Sequence, residues 1–179
     1  MKLILLTAAA VLVGAVAVIL VLAAFKPDTF TVQRSLAINA SPDRIFPFIN
    51  DYGRWPAWSP YETKDPQMNR TLSAVTAGRG ATYAWEGDSN VGAGNMAIVD
   101  SVPPSKVGIR LNMRKPISAS NDVTFTLAPQ GDTTNVTWAM QGPVPYFAKI
   151  IHVFFNMDKM VGGDMEAGLA KLKAVAEKG

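Results

Sequence analysis

From Leu3 to Phe25 the sequence runs 23 residues without a charged side chain, broken only by Thr7 and Gly14. Lys2 precedes the run, and Lys26, Pro27 and Asp28 end it. At about 1.5 Å per residue a helix of this length covers roughly 34 Å, enough to cross a hydrocarbon layer near 30 Å. In lipid a helix is the one single-segment structure that pairs every backbone group. The reading is a transmembrane anchor over residues 3–25. A cleaved secretory signal is the plainer alternative. Such signals carry apolar cores of about 7–15 residues and a small-x-small cleavage site; this run is longer, and Leu22 stands where a small residue is wanted before Ala23-Ala24.

Lys2 and the terminal amine favour a cytoplasmic amino end, while Lys26 and Arg34 argue the opposite way. Long carboxyl-terminal domains translocate largely regardless of charge. The expected localisation is therefore a single-pass membrane protein with an extracytoplasmic domain. Residues 1–29 form the anchor and linker, and residues 30–179 form one domain, a length that suits a single core.

Setting Lys2 aside leaves 16 of the 17 basic residues against 14 acidic ones, a net charge of +2. Nucleic-acid binding wants a dense basic face, so that partner is not expected. Cysteine is absent, which excludes disulfides, thiol nucleophiles and cysteine-ligated metals.

After the anchor the pattern switches between two periods. Phe30, Val32, Leu36 and Ile38 alternate with polar residues, as in a half-buried strand; Arg34 falls on the apolar side and interrupts that pattern. Ser41-Pro42-Asp43 starts a helix, through a capping side chain, a proline tolerated at the first position and an acid at the positive dipole end. Ile45, Phe46 and Ile49 follow at helical spacing, with Pro47 expected to kink the helix. Asn50 to Pro60 is turn-rich. Alternation returns at Tyr83/Trp85, Met96/Ile98, Val107/Ile109/Leu111/Met113, Val123/Phe125/Leu127 and Val136/Trp138/Met140. Turns at Pro103-Pro104 and Gln130-Gly131-Asp132 imply an antiparallel meander. From Tyr146 to Glu177 the period becomes 3.6 and predicts one long helix. Its apolar stripe is Met157, Met160, Val161, Met165, Leu169 and Leu172. Gly162, Gly163 and Gly168 are costly inside it and suit a bend or a close approach of the sheet.

Three segments carry a family resemblance: Asp51-Tyr52-Gly53-Arg54-Trp55-Pro56-Ala57-Trp58-Ser59-Pro60; Tyr83-Ala84-Trp85-Glu86-Gly87 with Gly92-Ala93-Gly94; and Asp158 to Gly162 with Asp164 to Leu169 and Leu172. In this order, over about residues 31–177, the chain resembles the polyketide cyclase/dehydrase-like (SRPBCC) branch of the START-like helix-grip superfamily. The resemblance implies an α+β fold in which a curved, seven-stranded antiparallel sheet wraps a long carboxyl-terminal helix around a pocket. Members bind lipids, sterols, polyketides or plant hormones, and a few are cyclases or aromatases. Fold alone does not choose among these.

The expected ligand wall combines the inward strand and helix positions: Tyr83, Trp85, Met96, Ile98, Ile109, Leu111, Met113, Phe125, Trp138, Met140, Phe154, Met157, Met160 and Val161. Aromatic tips orient a ligand and thioethers adapt to its shape; each residue has ordinary core packing as its plainer reading. Phe147, Ile150, Ile151, Phe154 and Phe155 make the start of the last helix apolar on more than one face, suiting a gate, a surface against the bilayer or a buried helix end.

No catalytic residue is assigned. Asp100 and Asp164 are the two carboxylates whose pattern could place them inward, with Arg34 as a partner; a rim ion pair is the plainer reading. His152, the single histidine, has no acid or nucleophile at useful spacing. No metal site or cofactor is expected. The sequence thus predicts a membrane-anchored binding or transfer protein for a small hydrophobic ligand, with a polyketide-like cyclase or dehydratase and a protein-interaction module as the alternatives.

Overall fold

A computed structural model describes residues 1–154 and 156–178 of the chain. The uncharged run forms helix α1 (Lys2–Ala24), most of whose side chains face outward. Seven strands follow: β1 (Thr29–Ile38), β2 (Asn69–Leu72), β3 (Thr82–Glu86), β4 (Ala93–Val102), β5 (Lys106–Lys115), β6 (Ala119–Gln130) and β7 (Thr133–Pro143). They form one antiparallel sheet in the order β1-β7-β6-β5-β4-β3-β2. Each strand from β2 to β6 pairs with its successor, as short links between alternating segments require, and β1 closes against β7.

Helix α2 (Pro42–Asn50) buries Ile45, Phe46 and Ile49 and accommodates Pro47 within nine residues. Ser41 stands at its N-cap in an extended conformation without a side-chain capping bond; its carbonyl instead accepts from Arg44 and Ile45. A 3-10 turn (Tyr52–Ala57) and the short α3 (Tyr61–Lys64) lead into β2. The sequence pattern misses β2, a four-residue edge strand that is mostly exposed.

The expected single terminal helix is two helices, α4 (Tyr146–Phe154) and α5 (Met157–Ala176). Asn156 causes the break: it is extended, and its side chain caps α5 by accepting from the backbone N–H of Lys159. Helix α5 packs on β1, whereas α4 packs along α1.

Arg34, the interruption in the β1 pattern, joins sheet to helix. It donates to Asp158 at 2.8 Å and to Glu166 at 2.5 Å. These bonds raise the guanidinium pKa, Asp158 contributing most, and the Asp158 carboxyl is held below its ordinary value by the same bond. Gly162 leaves the space the guanidinium occupies, since a Cβ there would collide with it. At Gly168 a Cβ would sit 2.8 Å from the Trp138 ring and 3.0 Å from Pro60. Close approach therefore explains both positions, while Gly163 faces open space. At the far end Lys173 donates to the Ala37 carbonyl and Glu177 accepts from the Asn39 N–H. Helix α5 thus covers the inner sheet face from the level of Arg34 to the far end of β1.

Candidate functional site

Cross-strand register divides the inner face of the sheet into rows. A deep row joins Arg34, Trp138, Phe125 and Val107. The next joins Val32, Met140, Val123, Ile109 and Ile98. Leu111, paired with Asn121 and Met96, and Met96, paired with Tyr83, make a third row, with Phe30 at its β1 edge. The outermost contains Met113, Gly94, Trp85 and Arg70.

Exposure rises at some positions along this series, while Met96, Tyr83 and Asn121 of the third row and Gly94 of the outermost stay buried. Phe125 and Val107 are sealed at 0% exposure. Ile98, Ile109, Val123 and Met140 remain buried, whereas Phe30, Leu111, Met113 and Trp85 are half-buried. Ile117, in the β5–β6 turn beyond Met113, is exposed. The inner face is therefore least covered at one end, where its half-buried apolar side chains mark the candidate groove. The start of β1, the end of β7 and the β3–β4 and β5–β6 turns all lie at that end, so α1 leaves the domain beside the opening.

The deep end is filled by aromatic rings. Trp58 meets Phe125 at 5.9 Å and Trp138 at 5.8 Å, both edge-on, and Phe125 lies 4.9 Å from Trp138. Tyr52, Trp55 and Tyr83 continue the cluster. Edge-on and tilted geometries suit the ring quadrupoles. Trp55 and Trp58 donate their indole N–H groups to the Ile49 and Phe48 carbonyls at the end of α2. The Trp-x-x-Trp spacing thus closes a helix end, which is a structural use. Of the expected ligand wall, Phe125, Trp138, Ile98 and Ile109 pack in this filled region, while Trp85, Leu111 and Met113 line the opening, with Met96, Met140 and Tyr83 between. Val161 packs half-buried against the core. Phe154 and Met160 do not line the inner face; they are 65% and 57% exposed, Phe154 because the helix break carries α4 away from the sheet, and Met160 because it lies on the outward side of the first turn of α5. The side chains of Met157 and His152, and Phe155 altogether, lie outside the described residues.

The candidate carboxylates are both taken up in ion pairs with lysines. Val99 is the extra residue of a register shift between Ile98 and Asp100, so alternation fails there and Asp100 pairs with Gly108. Asp100 lies on the outer face, 2.9 Å from Lys106, whose hydrogen bond lowers the carboxyl pKa. Asp164 accepts from Lys64 at 2.7 Å, and Arg34 is committed to Asp158 and Glu166 instead.

Two polar groups that sequence reasoning missed sit inside. Glu62 is buried, accepts from Tyr83 Oη at 2.7 Å and pairs with Arg70 at 2.7 Å. Burial first, and Glu62 second, push the Tyr83 phenol well above its ordinary range. A four-residue helix is too short to show a period, so nothing in the sequence marked Glu62 as internal. Asn121 is buried in the third row, and its Oδ1 lies over Gly142 with no hydrogen-bond partner. Extending the Val123/Phe125/Leu127 alternation back two residues would have found it. Trp138 Nε1 and Tyr52 Oη are likewise buried and unpartnered. Among the described residues no group of His, Asp and Glu is placed to hold a metal ion.

Seven antiparallel strands gripping one helix have counterparts among known proteins. Residues 29–177 match the family described as polyketide cyclase / dehydrase and lipid transport. The chain belongs to that family. A comparison with curated proteins gives no match. Among solved structures, protein CV1439 from Chromobacterium violaceum superposes with a TM-score of 0.60 at 14% identity, covering 86% of this chain and 100% of that one. A major latex-like protein from Panax ginseng gives 0.60 at 11% identity, covering 84% and 99%. The di-domain ARO/CYC StfQ of the steffimycin biosynthetic pathway gives 0.63 at 9% identity, covering 84% of this chain and 52% of StfQ. At such identities the likeness carries the fold alone, so what this polyketide cyclase/dehydrase relative does must be argued from its own groove.

Proposed function

We propose that this protein is a membrane-anchored, non-catalytic binding or transfer protein for a small hydrophobic ligand, a lipid being the class that fits best. One observation carries the reading: Phe30, Leu111, Met113 and Trp85 leave the inner sheet face half-covered at one end, and beneath them Asn121 Oδ1 is a buried acceptor without a partner. Apolar burial at roughly 25 cal/mol per Å2 supplies affinity. A hydroxyl or amide donor on the ligand would satisfy Asn121, whose desolvation is otherwise uncompensated. Binding is then equilibrium capture, with the apolar wall setting strength and one polar atom setting orientation.

The anchor is favoured over a cleaved signal by a contact within the chain. Tyr146 Oη donates to the Leu20 carbonyl at 2.8 Å, and α4 packs along α1. Cleavage would strip that partner from the folded domain. The exposed apolar face of α1 at Ile4, Thr7, Ala8, Val11, Leu12 and Ala15 belongs to the anchor and is not assigned as the cargo site. We keep the extracytoplasmic side for the domain, since Lys2 and the terminal amine favour a cytoplasmic amino end and long carboxyl-terminal domains translocate largely regardless of charge.

The test is native mass spectrometry of the full chain extracted from membranes in mild detergent. The expected result is a reproducible apolar molecule bound at one per chain, lost when Leu111→Trp or Met113→Trp fills the opening. A folded chain that carries nothing, and takes up nothing from mixed lipid vesicles, would overturn the proposal.

A further inference from the structure

Helix α4 presents an apolar stripe that nothing among the described residues covers. Phe147, Ile151 and Phe154 recur at i, i+4 and i+7 and are 52%, 37% and 65% exposed. Residues at that spacing share one helix face. A continuous exposed stripe of this kind marks an interaction surface rather than a solvated one. Its position on α1 identifies what it meets. Leu20, the residue to which Tyr146 donates, lies four residues before the end of α1, roughly 6 Å inside that end. Ile19 is half-buried and Ala23 fully buried, so this side of α1 faces the protein.

On the opposite side of α4 from the stripe, Lys149 is buried and reaches Asp28 at 2.6 Å in the linker beyond α1. The cation is thereby held against the exposed Asp28 while the stripe points away from it, which splits α4 into a polar side tied to the linker and an apolar side left bare. Tyr146 sits at the same boundary, where tyrosine is enriched in membrane proteins.

We infer that α4 is a second membrane-seated element: its Phe147–Ile151–Phe154 face dips into the lipid beside α1 and holds the open end of the groove against the bilayer surface. Cargo then passes between lipid and groove without crossing bulk water. The inference deepens the carrier reading and rests on α1 being a membrane anchor. The break at Asn156 is what makes it possible. A single unbroken helix would carry these residues along the sheet; instead α4 leaves the groove and joins α1.

The chain has no cysteine, so one introduced thiol labels one place. Full-length F147C, F154C, V13C and R110C, each carrying an environment-sensitive fluorophore, are reconstituted in phosphatidylcholine/phosphatidylglycerol vesicles. Quenching by spin-labelled lipid is compared with quenching by aqueous iodide. Val13 is an exposed α1 position and Arg110 lies on the outer face of the sheet. Labels at 147, 154 and 13 are expected to be quenched by lipid and shielded several-fold from iodide, with the reverse at 110. Iodide access at 147 and 154 with lipid quenching at 13 would overturn the inference and leave the anchor standing. Iodide access at 13 as well would remove both. Shielding of 147 and 154 from both quenchers would mean that protein covers the stripe, which also overturns it.

Discussion

Alanine at Gly163 and alanine at Gly168 should shift stability in opposite directions, although both replace a glycine inside α5. A Cβ at Gly163 meets nothing within 4 Å. That substitution keeps only the gain in helix propensity, about 0.5–1 kcal/mol. At Gly168 the same Cβ would press on Trp138 Cζ3 at 2.8 Å and Pro60 Cδ at 3.0 Å. Neither neighbour is a flexible end. Trp138 is fixed between Trp58 and Phe125, and proline carbons have nowhere to rotate. Overpacking of this kind costs about 1–3 kcal/mol, which exceeds the propensity gain and leaves a net loss of roughly 1 kcal/mol. The two variants should therefore differ by about 2 kcal/mol, or roughly 4–8 °C in Tm for a domain of this size. Thermal unfolding of the full chain in detergent micelles, followed by the near-ultraviolet circular dichroism of its tryptophans, reads the difference. Equal stabilisation by both alanines would refute the close approach of α5 to the aromatic cluster.

Gly162→Ala should be nearly neutral in the same assay, because the displaced Arg34 guanidinium is the far end of a flexible side chain and its solvent-screened ion pairs contribute little. Phe125→Ala should cost about 3–5 kcal/mol and Leu111→Ala about 1 kcal/mol, measured by urea unfolding, while ligand retention should suffer more from Leu111→Ala. A Phe125→Ala protein of unchanged stability that has lost its ligand would move the site into the aromatic cluster. The Asp158 carboxyl is held below its ordinary 3.8 by the bond from Arg34, so its contribution is complete above about pH 5 and is lost as pH falls through the lowered folded value. Asp158→Asn should flatten that acid limb, seen as a smaller drop in Tm between pH 6 and pH 3. Tyr83→Phe should cost about 1 kcal/mol by removing one hydrogen bond to Glu62, read by the same urea titration.

Alternation made β1, β3, β5, β6 and β7 legible, because one sheet face is buried and a period of two records that. The helix α2 was legible from Pro42 and from Ile45, Phe46 and Ile49. The sequence reading failed where a single residue breaks a period. Val99 adds one position to β4 and turns Asp100 outward. Asn156 caps a new helix inside what reads as a continuous 3.6 pattern, and the misplacement of Phe154 follows from it. Arg34 registered as an anomaly, but its partners Asp158 and Glu166 lie 124 and 132 residues away, and no local pattern reports such pairs. Glu62 was invisible for a related reason, since burial of a lone polar group depends on what packs over it, here Tyr83; Asn121 was legible by carrying the β6 alternation two residues back from Val123.

The central claim is that cargo lies against the half-buried end of the inner sheet face, and photo-crosslinking tests it most directly. The full chain in vesicles is irradiated with a diazirine-bearing lipid and the labelled peptides are mapped. Adducts are expected on Phe30, Leu111 and Met113, competed away by unlabelled lipid extract. Adducts confined to α1, with none on the strands, would contradict the claim.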